Sequence, residues 1–332
     1  MDPTKRFGGK RHKQSEPMPL VRYMTIYAKS QKRRGNIQRA EKYFTTLRSF
    51  RRFLGWKATI LMNLDKSIVR EYEVYMQKAL LRPNTTSFYM RNLRAMYNHA
   101  VAYGYCSQQY PFKEVFTGVE GTTKRALSKE KIRAIRDLPL KPHSSKAFAR
   151  DIFMFSFYTC GMSFVDIAYL RKKDLKYGVL TYYRKKTGQE IQVKWLPEMQ
   201  QIVDRYSAKR TKYMFSIVGG DNAIERKNYR NAEHLVNRNL REIGEALKLD
   251  APLTTYVARH SWASIAYNKQ IPTATISKAL GHESEKTTRI YLSRLNNSYI
   301  DIANQAVLSE VSNATCQPLP PPPVRAIKTD VK

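Results

Sequence analysis

The chain has 332 residues, 42% of them hydrophobic and 11% aromatic, enough for real cores and a prior of about two domains. Lysine and arginine outnumber aspartate and glutamate 59 to 27, a formal net charge of +32. A surplus of that size repels itself unless a polyanion neutralises it, which points to DNA or RNA as partner. The three cysteines, Cys106, Cys160 and Cys316, are far apart, and neither C-x-x-C, H-E-x-x-H nor a cluster of the six histidines occurs, so neither a disulfide framework nor a zinc site is supported. The basic N-terminus lacks an apolar core, so it is not a signal peptide. No run of about 18 apolar residues offers a membrane span, and a soluble, cytoplasmic protein is expected.

Residues 1–18 read as a basic disordered arm, followed by a helical domain over 19–117. From Asn36, a candidate N-cap, Ile37, Ala40, Phe44, Leu47 and Leu54 recur at helical spacing. A second helix is predicted over 65–81, stopped by Pro83. Asn84 is the candidate cap of a third, with Phe88, Leu93, Met96 and Ala100 on one face and Gly104 beyond its end. Arg48, Arg51, Arg52, Arg91 and Arg94 fill the other faces. They are either solvated surface or phosphate contacts.

Residues 118–127, with the short G-V-E-G-T-T-K run, read as a linker ahead of a second domain over 128–311. Ser128 is a good N-cap, and Glu130 suits the first helical turn. Helices are expected near 128–137 and 146–159, the latter apolar on all sides from Ile152 to Tyr158 and therefore core. A hairpin follows from Leu180 to Trp195, turning at Thr187-Gly188. Further helices are expected near 196–209, 229–248, 255–268, 273–280, 285–295 and 298–310. Residues 312–332 read as a proline-rich disordered tail. The fold class is therefore mainly α with a small β-hairpin, in two domains.

The chemistry concentrates between Leu253 and Leu295. Arg259 is followed by Leu280-Gly281-His282, and Tyr291 stands nine residues beyond that histidine. Upstream lie Cys160-Gly161-Met162-Ser163-Phe164-Val165-Asp166 and Arg184-Lys185-Lys186-Thr187-Gly188. This ordered set resembles the catalytic domain of the tyrosine recombinases, the phage integrase family, and residues 35–105 resemble its helical core-binding domain. The family pattern is an arginine in G-[LM]-R-x-x-[ED], a hairpin lysine, H-x-x-R, L-G-H and a tyrosine about nine residues later.

Position by position, the resemblance implies that Tyr291 is the nucleophile, Arg259 and His282 bind the reacting phosphate, Lys186 is the hairpin lysine and Asp166 the acidic residue of the first box. Two positions depart: Ser163 stands where the first arginine belongs, and Tyr256 replaces the histidine of H-x-x-R. The spelling GMSFVD with Y-x-x-R also resembles a known branch of the family. Arg184 is the candidate for the displaced charge, because residues two apart in a strand face the same way and Arg184 would point with Lys186. His260 is either a helper or a satisfied core histidine.

The implied reaction is site-specific recombination of duplex DNA through a 3′-phosphotyrosine, with neither ATP nor metal as cofactor. The implied partners are a homotetramer on paired sites, docked through the helix near 298–310, and accessory DNA-bending proteins in a bacterial cytoplasm. With about 20 residues ahead of the first helical domain, a simple invertase or resolvase-like role is favoured over an arm-binding integrase. The rival readings are a catalytically silent DNA-binding regulator, suggested by Ser163 and Tyr256, and a type IB topoisomerase.

Overall fold

The computed structural model describes residues 18–121, 126–206, 211–219 and 222–292, without the side chains of residues 222, 223, 290 and 291. The expected N-terminal arm up to residue 17, the helix near 298–310 and the proline-rich tail lie outside the described residues. The chain divides into two compact units between Thr122 and Thr123. Among the described residues, no helix is long and apolar enough to cross a membrane.

The first unit is helical: α1 (Leu20–Arg33), α2 (Ile37–Leu54), α3 (Lys66–Lys78) and α4 (Pro83–Ala102), with a short 3₁₀ turn after α2. Sequence reading missed α1, although Leu20, Val21, Met24 and Ala28 are all buried on it at helical spacing. The core between the helices holds Met24, Phe50, Tyr72, Met76, Met90 and Tyr97.

Two predicted caps are corrected. Asn36 does not cap α2; its amide donates to Gln31 Oε1 at 3.0 Å. Asn84 does not cap α4, because Pro83, lacking an N–H and with its φ fixed, occupies the first helical position. The Asn84 side chain instead exchanges two hydrogen bonds with the Glu120 backbone, at 2.8 and 2.9 Å.

The second unit begins with α5 (Lys129–Asp137), capped by Ser128, whose Oγ accepts from Lys131 N. Then come α6 (Ser145–Tyr158), α7 (Phe164–Ala168), strands β1 (Leu175–Lys176), β2 (Val179–Tyr183) and β3 (Glu190–Lys194), α8 (Pro197–Tyr206), α9 (Asn222–Ala246), α10 (Thr255–Asn268), α11 (Thr273–Leu280) and α12 (Glu285–Leu292). Helix α6 is the axis of this unit: Asp151 through Ser156 are all buried, and α8, α9 and α10 pack around it. The one charge in that run, Asp151, is met by Arg150 at 2.8 Å, Arg205 at 2.9 Å and the Tyr206 hydroxyl at 2.8 Å, which fastens α6 to α8. Burial and that carboxylate together push the Tyr206 phenol up.

The sheet is antiparallel in the order β1-β2-β3, one short strand more than the predicted hairpin. Leu180 pairs with Val193 and Tyr182 with Ile191, so the alternate residues of β2 and β3 enter the core together. The far end of the hairpin meets the end of α11, and there the chemistry-bearing residues converge.

Candidate active site

Helix α6 ends in a tight reversal, with Cys160 at φ 58° and Gly161 at φ 80°. The glycine is required on two counts. Its backbone is left-handed, and a Cβ there would lie 2.7 Å from Arg259 Cα and 2.8 Å from Arg259 Cγ. This reversal therefore lets α10 come close enough for Arg259 Nη1 to donate to the Gly161 carbonyl at 2.9 Å. Burial pushes the neighbouring Cys160 thiol up to about 11, so it is protonated and unreactive at neutral pH.

Helix α11 ends in a Schellman turn: Gly281 is left-handed (φ 60°, ψ 44°), its N–H donates to Lys278 O, and His282 N donates to Ser277 O, both at 3.0 Å. The turn leaves the carbonyls of Leu280 and Gly281 for other donors, and two arginines take them. Arg259 Nη2 donates to Leu280 O, and Arg184 Nη1 donates to Gly281 O at 2.7 Å. Both guanidiniums are buried, Arg259 at 2% exposure and Arg184 at 6%. These carbonyls form the negative end of the α11 dipole and offset part of the cost of burying two cations. Arg184 Nε is buried without a hydrogen-bond partner among the described residues. Such a donor costs about 1–3 kcal/mol when it stays unmet.

Arg184 reaches this place by a route different from the one read in the sequence. Strand β2 stops at Tyr183, and Arg184 opens the turn, with its N–H on Gln189 O and its carbonyl accepting from Gly188 N. Arg184 turns inward while Lys186 is exposed in the turn, so the two do not share a strand face. Between them, Lys185 places its ammonium 3.8 Å from the centre of the Tyr169 ring. Thr187 Oγ1 adds a second donor to Gly281 O at 3.2 Å.

Ser163 opens α7 and takes no part in the arginine pair. Its hydroxyl donates to Asp166 Oδ2 at 2.5 Å, and the other carboxylate oxygen accepts from Lys185 N at 2.9 Å. The buried Asp166 thus pins the hairpin turn to α7, one residue away from both Arg184 and Lys186.

His282 directly follows the Schellman turn. Its Nε2 lies 3.2 Å from Arg259 Nη2 and its Nδ1 lies 2.7 Å from Thr288 Oγ1 on α12. Tyr291 lies on α12, less than a turn after Thr288, and its side chain lies outside the described part of the structure. Tyr256 is half-exposed and meets the buried His260 ring edge-on, with centroids 4.6 Å apart. The structure therefore gathers Arg184, Arg259, His282 and, through Asp166, the hairpin turn, and leaves Tyr256 at the rim with His260. Thr187, Thr288 and Tyr182 were missed in the sequence. Burial pushes the Tyr182 phenol up, Asp166 adds to that, and Arg259 and Arg184 oppose it.

In the first unit Arg48, Arg51, Arg52 and Arg91 are exposed and Arg94 is half-buried. Arg51 donates to Thr25 Oγ1 at 2.7 Å, Arg91 to Ser87 O at 3.3 Å and Arg94 to Thr117 Oγ1 at 3.2 Å. All three partners are neutral and leave the positive charge uncancelled. Among the described residues, no three His, Cys, Asp or Glu side chains converge as a metal site would need.

Comparison with known proteins bears on the family and the fold. Residues 125–297 match the phage integrase family and residues 19–115 match the phage integrase SAM-like domain. No curated protein matches the chain. The fold is shared with solved structures of low sequence identity. A lambda integrase (75-356) dimer bound to a COC′ core site is 15% identical with a TM-score of 0.63, over 83% of this chain and 96% of that one. The XerH site-specific recombinase bound to palindromic difH substrate is 16% identical with a TM-score of 0.61, over 90% and 99%. The Tn1549 transposon integrase in complex with transposon right end DNA is 13% identical with a TM-score of 0.61, over 89% and 100%. The chain belongs to the phage integrase family, the tyrosine recombinases, enzymes that break and rejoin DNA strands.

Proposed function

We propose that this protein is a site-specific recombinase of duplex DNA that acts through a covalent 3′-phosphotyrosine at Tyr291. The observation that carries the reading is the arginine pair: two buried guanidiniums on consecutive carbonyls, Leu280 and Gly281, beside His282, which stands nine residues ahead of Tyr291. A concentration of buried positive charge held by neutral carbonyls is the environment a phosphodiester needs as negative charge builds on its nonbridging oxygens. Arg259 and Arg184 meet that charge; the guanidinium fork suits phosphate better than an ammonium does.

The Tyr291 oxygen forms the bond to phosphorus and gives its phenolic proton to solvent, while the bond from phosphorus to the 5′ oxygen breaks. Lys186, exposed at the hairpin turn, protonates the departing 5′ oxygen as general acid. A free phenol has a pKa of about 10, so positive charge at the site also serves to make phenolate attack accessible at neutral pH. Because the bond energy is kept in the phosphotyrosine, the reverse attack by a 5′ hydroxyl rejoins the strand.

The net charge of +32 and the cations Arg48, Arg51, Arg52, Arg91 and Arg94 supply sequence-independent hold on the DNA backbone. Assembly as a homotetramer on paired sites belongs to the same reading. A neighbour of this fold, a lambda integrase, has been solved as a tetramer bound to a Holliday junction.

Ser163 is the feature that favours the rival, a silent DNA-binding relative, since it removes a guanidinium from the usual place. The arginine pair answers it by supplying that charge from the hairpin. The test is covalent trapping on nicked duplexes carrying the flanking sequences of the element that encodes the protein. A denaturation-resistant protein–DNA adduct that is lost in Tyr291→Phe is expected. Intact binding with no adduct from the wild type overturns the reading in favour of the silent relative.

A further inference from the structure

We propose that Thr288 is a positioning residue for His282, its buried hydroxyl accepting from Nδ1–H and so fixing which ring nitrogen faces the phosphate site. The inference rests on the phosphotyrosine reading for its catalytic consequence, and on contacts within the protein for the rest. Thr288 is fully buried, and its Oγ1 lies 2.7 Å from His282 Nδ1. On the other side of the ring, Nε2 lies 3.2 Å from Arg259 Nη2.

The position of the ring proton follows from what arginine can do. A guanidinium carries five donors and no acceptor, and it does not deprotonate in proteins. A nitrogen that meets it at hydrogen-bond distance must present a lone pair. Nε2 is therefore the acceptor, the proton of the neutral ring sits on Nδ1, and Thr288 Oγ1 receives it. Arg259, His282 and Thr288 form one directed chain, N–H to Nε2 and then Nδ1–H to Oγ1.

The placement of Thr288 adds a second consequence. It lies on α12, the helix that carries Tyr291 three residues later, and α12 also packs through Leu292 against Ala263, Ile276 and Leu280. The hydroxyl is thus a polar latch between the helix bearing the nucleophile and the histidine of the phosphate site. The neighbouring Ser284 and Thr287 are exposed, and their hydroxyl oxygens lie 3.2 Å from each other.

Two measurements test it. In ¹⁵N-histidine NMR of the full chain without DNA, the His282 signal, assigned by its loss in His282→Asn, should report the Nδ1–H tautomer. Thr288→Ser should keep that tautomer and Thr288→Val should lose it. In adduct formation on nicked DNA, Thr288→Val should slow the rate by about tenfold, the consequence of leaving a buried N–H unmet. Thr288→Ser should restore it to within about threefold of wild type on the same scale. In a His282→Ala background, Thr288→Val should cause no further loss.

An Nε2–H tautomer in the wild type overturns the proposal, as does a Thr288→Val variant that reacts at the wild-type rate. So does an equal loss from Thr288→Val with and without His282, which would assign Thr288 to helix packing alone. If the wild type gives no adduct, the phosphotyrosine reading fails, while the NMR result still decides the contact between Thr288 and His282. If Thr288→Val does not fold, the wild-type and Thr288→Ser spectra decide it.

Discussion

Replacing Arg184 by methionine should move stability and activity in opposite directions. Arg184 is 6% exposed; among the described residues its guanidinium donates to Gly281 O at 2.7 Å and its Nε has no partner. Methionine keeps an unbranched stem of similar reach and removes the charge. What the fold loses is one charge-assisted hydrogen bond, worth about 1.5–3 kcal/mol. The Gly281 carbonyl is not stranded, because Thr187 Oγ1 still donates to it at 3.2 Å. What the fold gains is release from an unmet buried donor, about 1–3 kcal/mol, and from a buried cation whose effective desolvation cost is several kcal/mol. The gains outweigh the loss by about 1–4 kcal/mol in favour of the variant, the range seen when buried ions are replaced by apolar residues. For a domain of this size, about 2–4 °C of melting temperature corresponds to each kcal/mol.

Activity should go the other way. A preorganised donor aimed at developing negative charge contributes about 2.7–4 kcal/mol, so adduct formation by Arg184→Met should fall by about 10²- to 10³-fold. The assays are thermal denaturation without DNA and single-turnover adduct formation on nicked DNA with protein in excess. Arg184→Lys keeps the charge and loses the planar fork, and should fall between wild type and methionine in rate. The reasoning is refuted if Arg184→Met melts well below wild type and still forms adduct at the wild-type rate. Arg184 would then be a structural clamp on the end of α11.

Two further outcomes follow from single contacts. Asp166→Asn puts an amide where both carboxylate oxygens accept, from Ser163 Oγ and Lys185 N, so one donor loses its partner. A stability loss of about 1–3 kcal/mol by denaturant titration and slower adduct formation are expected, and a variant equal to wild type in both would remove Asp166 from the positioning of the hairpin. Arg52 is exposed on α2, and if it contacts a phosphate, Arg52→Ala should reduce the slope of log K against log salt by about one with little change in sequence preference; an unchanged slope identifies it as solvated surface.

The parts of the site that were legible in the sequence are those set by short-range geometry. Leu280-Gly281-His282 reads as a helix end because glycine alone adopts the left-handed turn cheaply, and the Schellman bonds of Gly281 and His282 span five residues or fewer. Ser128 reads as a cap for the same reason. The failures come from competition or distance. Asn84 has the right side chain for a cap, but Pro83 claims the first helical position and Glu120, 36 residues away, claims the amide. Helix α1 was lost beside the basic N-terminal run, and β1 has two residues, too few to show a period. Arg184 was picked out for the wrong reason: strand alternation cannot hold where the strand has already ended, and its true partner, Gly281, lies 97 residues downstream.

On the proposed reading, the same distinction accounts for serine at position 163. What a phosphate requires is a guanidinium at a point in space; a place in the sequence is only one way of delivering it. The end of α11 offers two adjacent carbonyls as docking points, and α10 supplies one of the two arginines. The other can come from any element whose backbone passes within a side chain's length. On that reading the hairpin turn does so: Asp166 accepts from Lys185 N beside Arg184, and Ser163 donates its hydroxyl to the same Asp166. Ser163 and Arg184 are thus linked through one carboxylate. On the proposed reading, the substitution that removes the charge from the start of α7 also provides a hydroxyl that satisfies the carboxylate an arginine at 163 could have paired with. On that reading Ser163 and Arg184 form one compensated change, so a variant at either position should be read against the other.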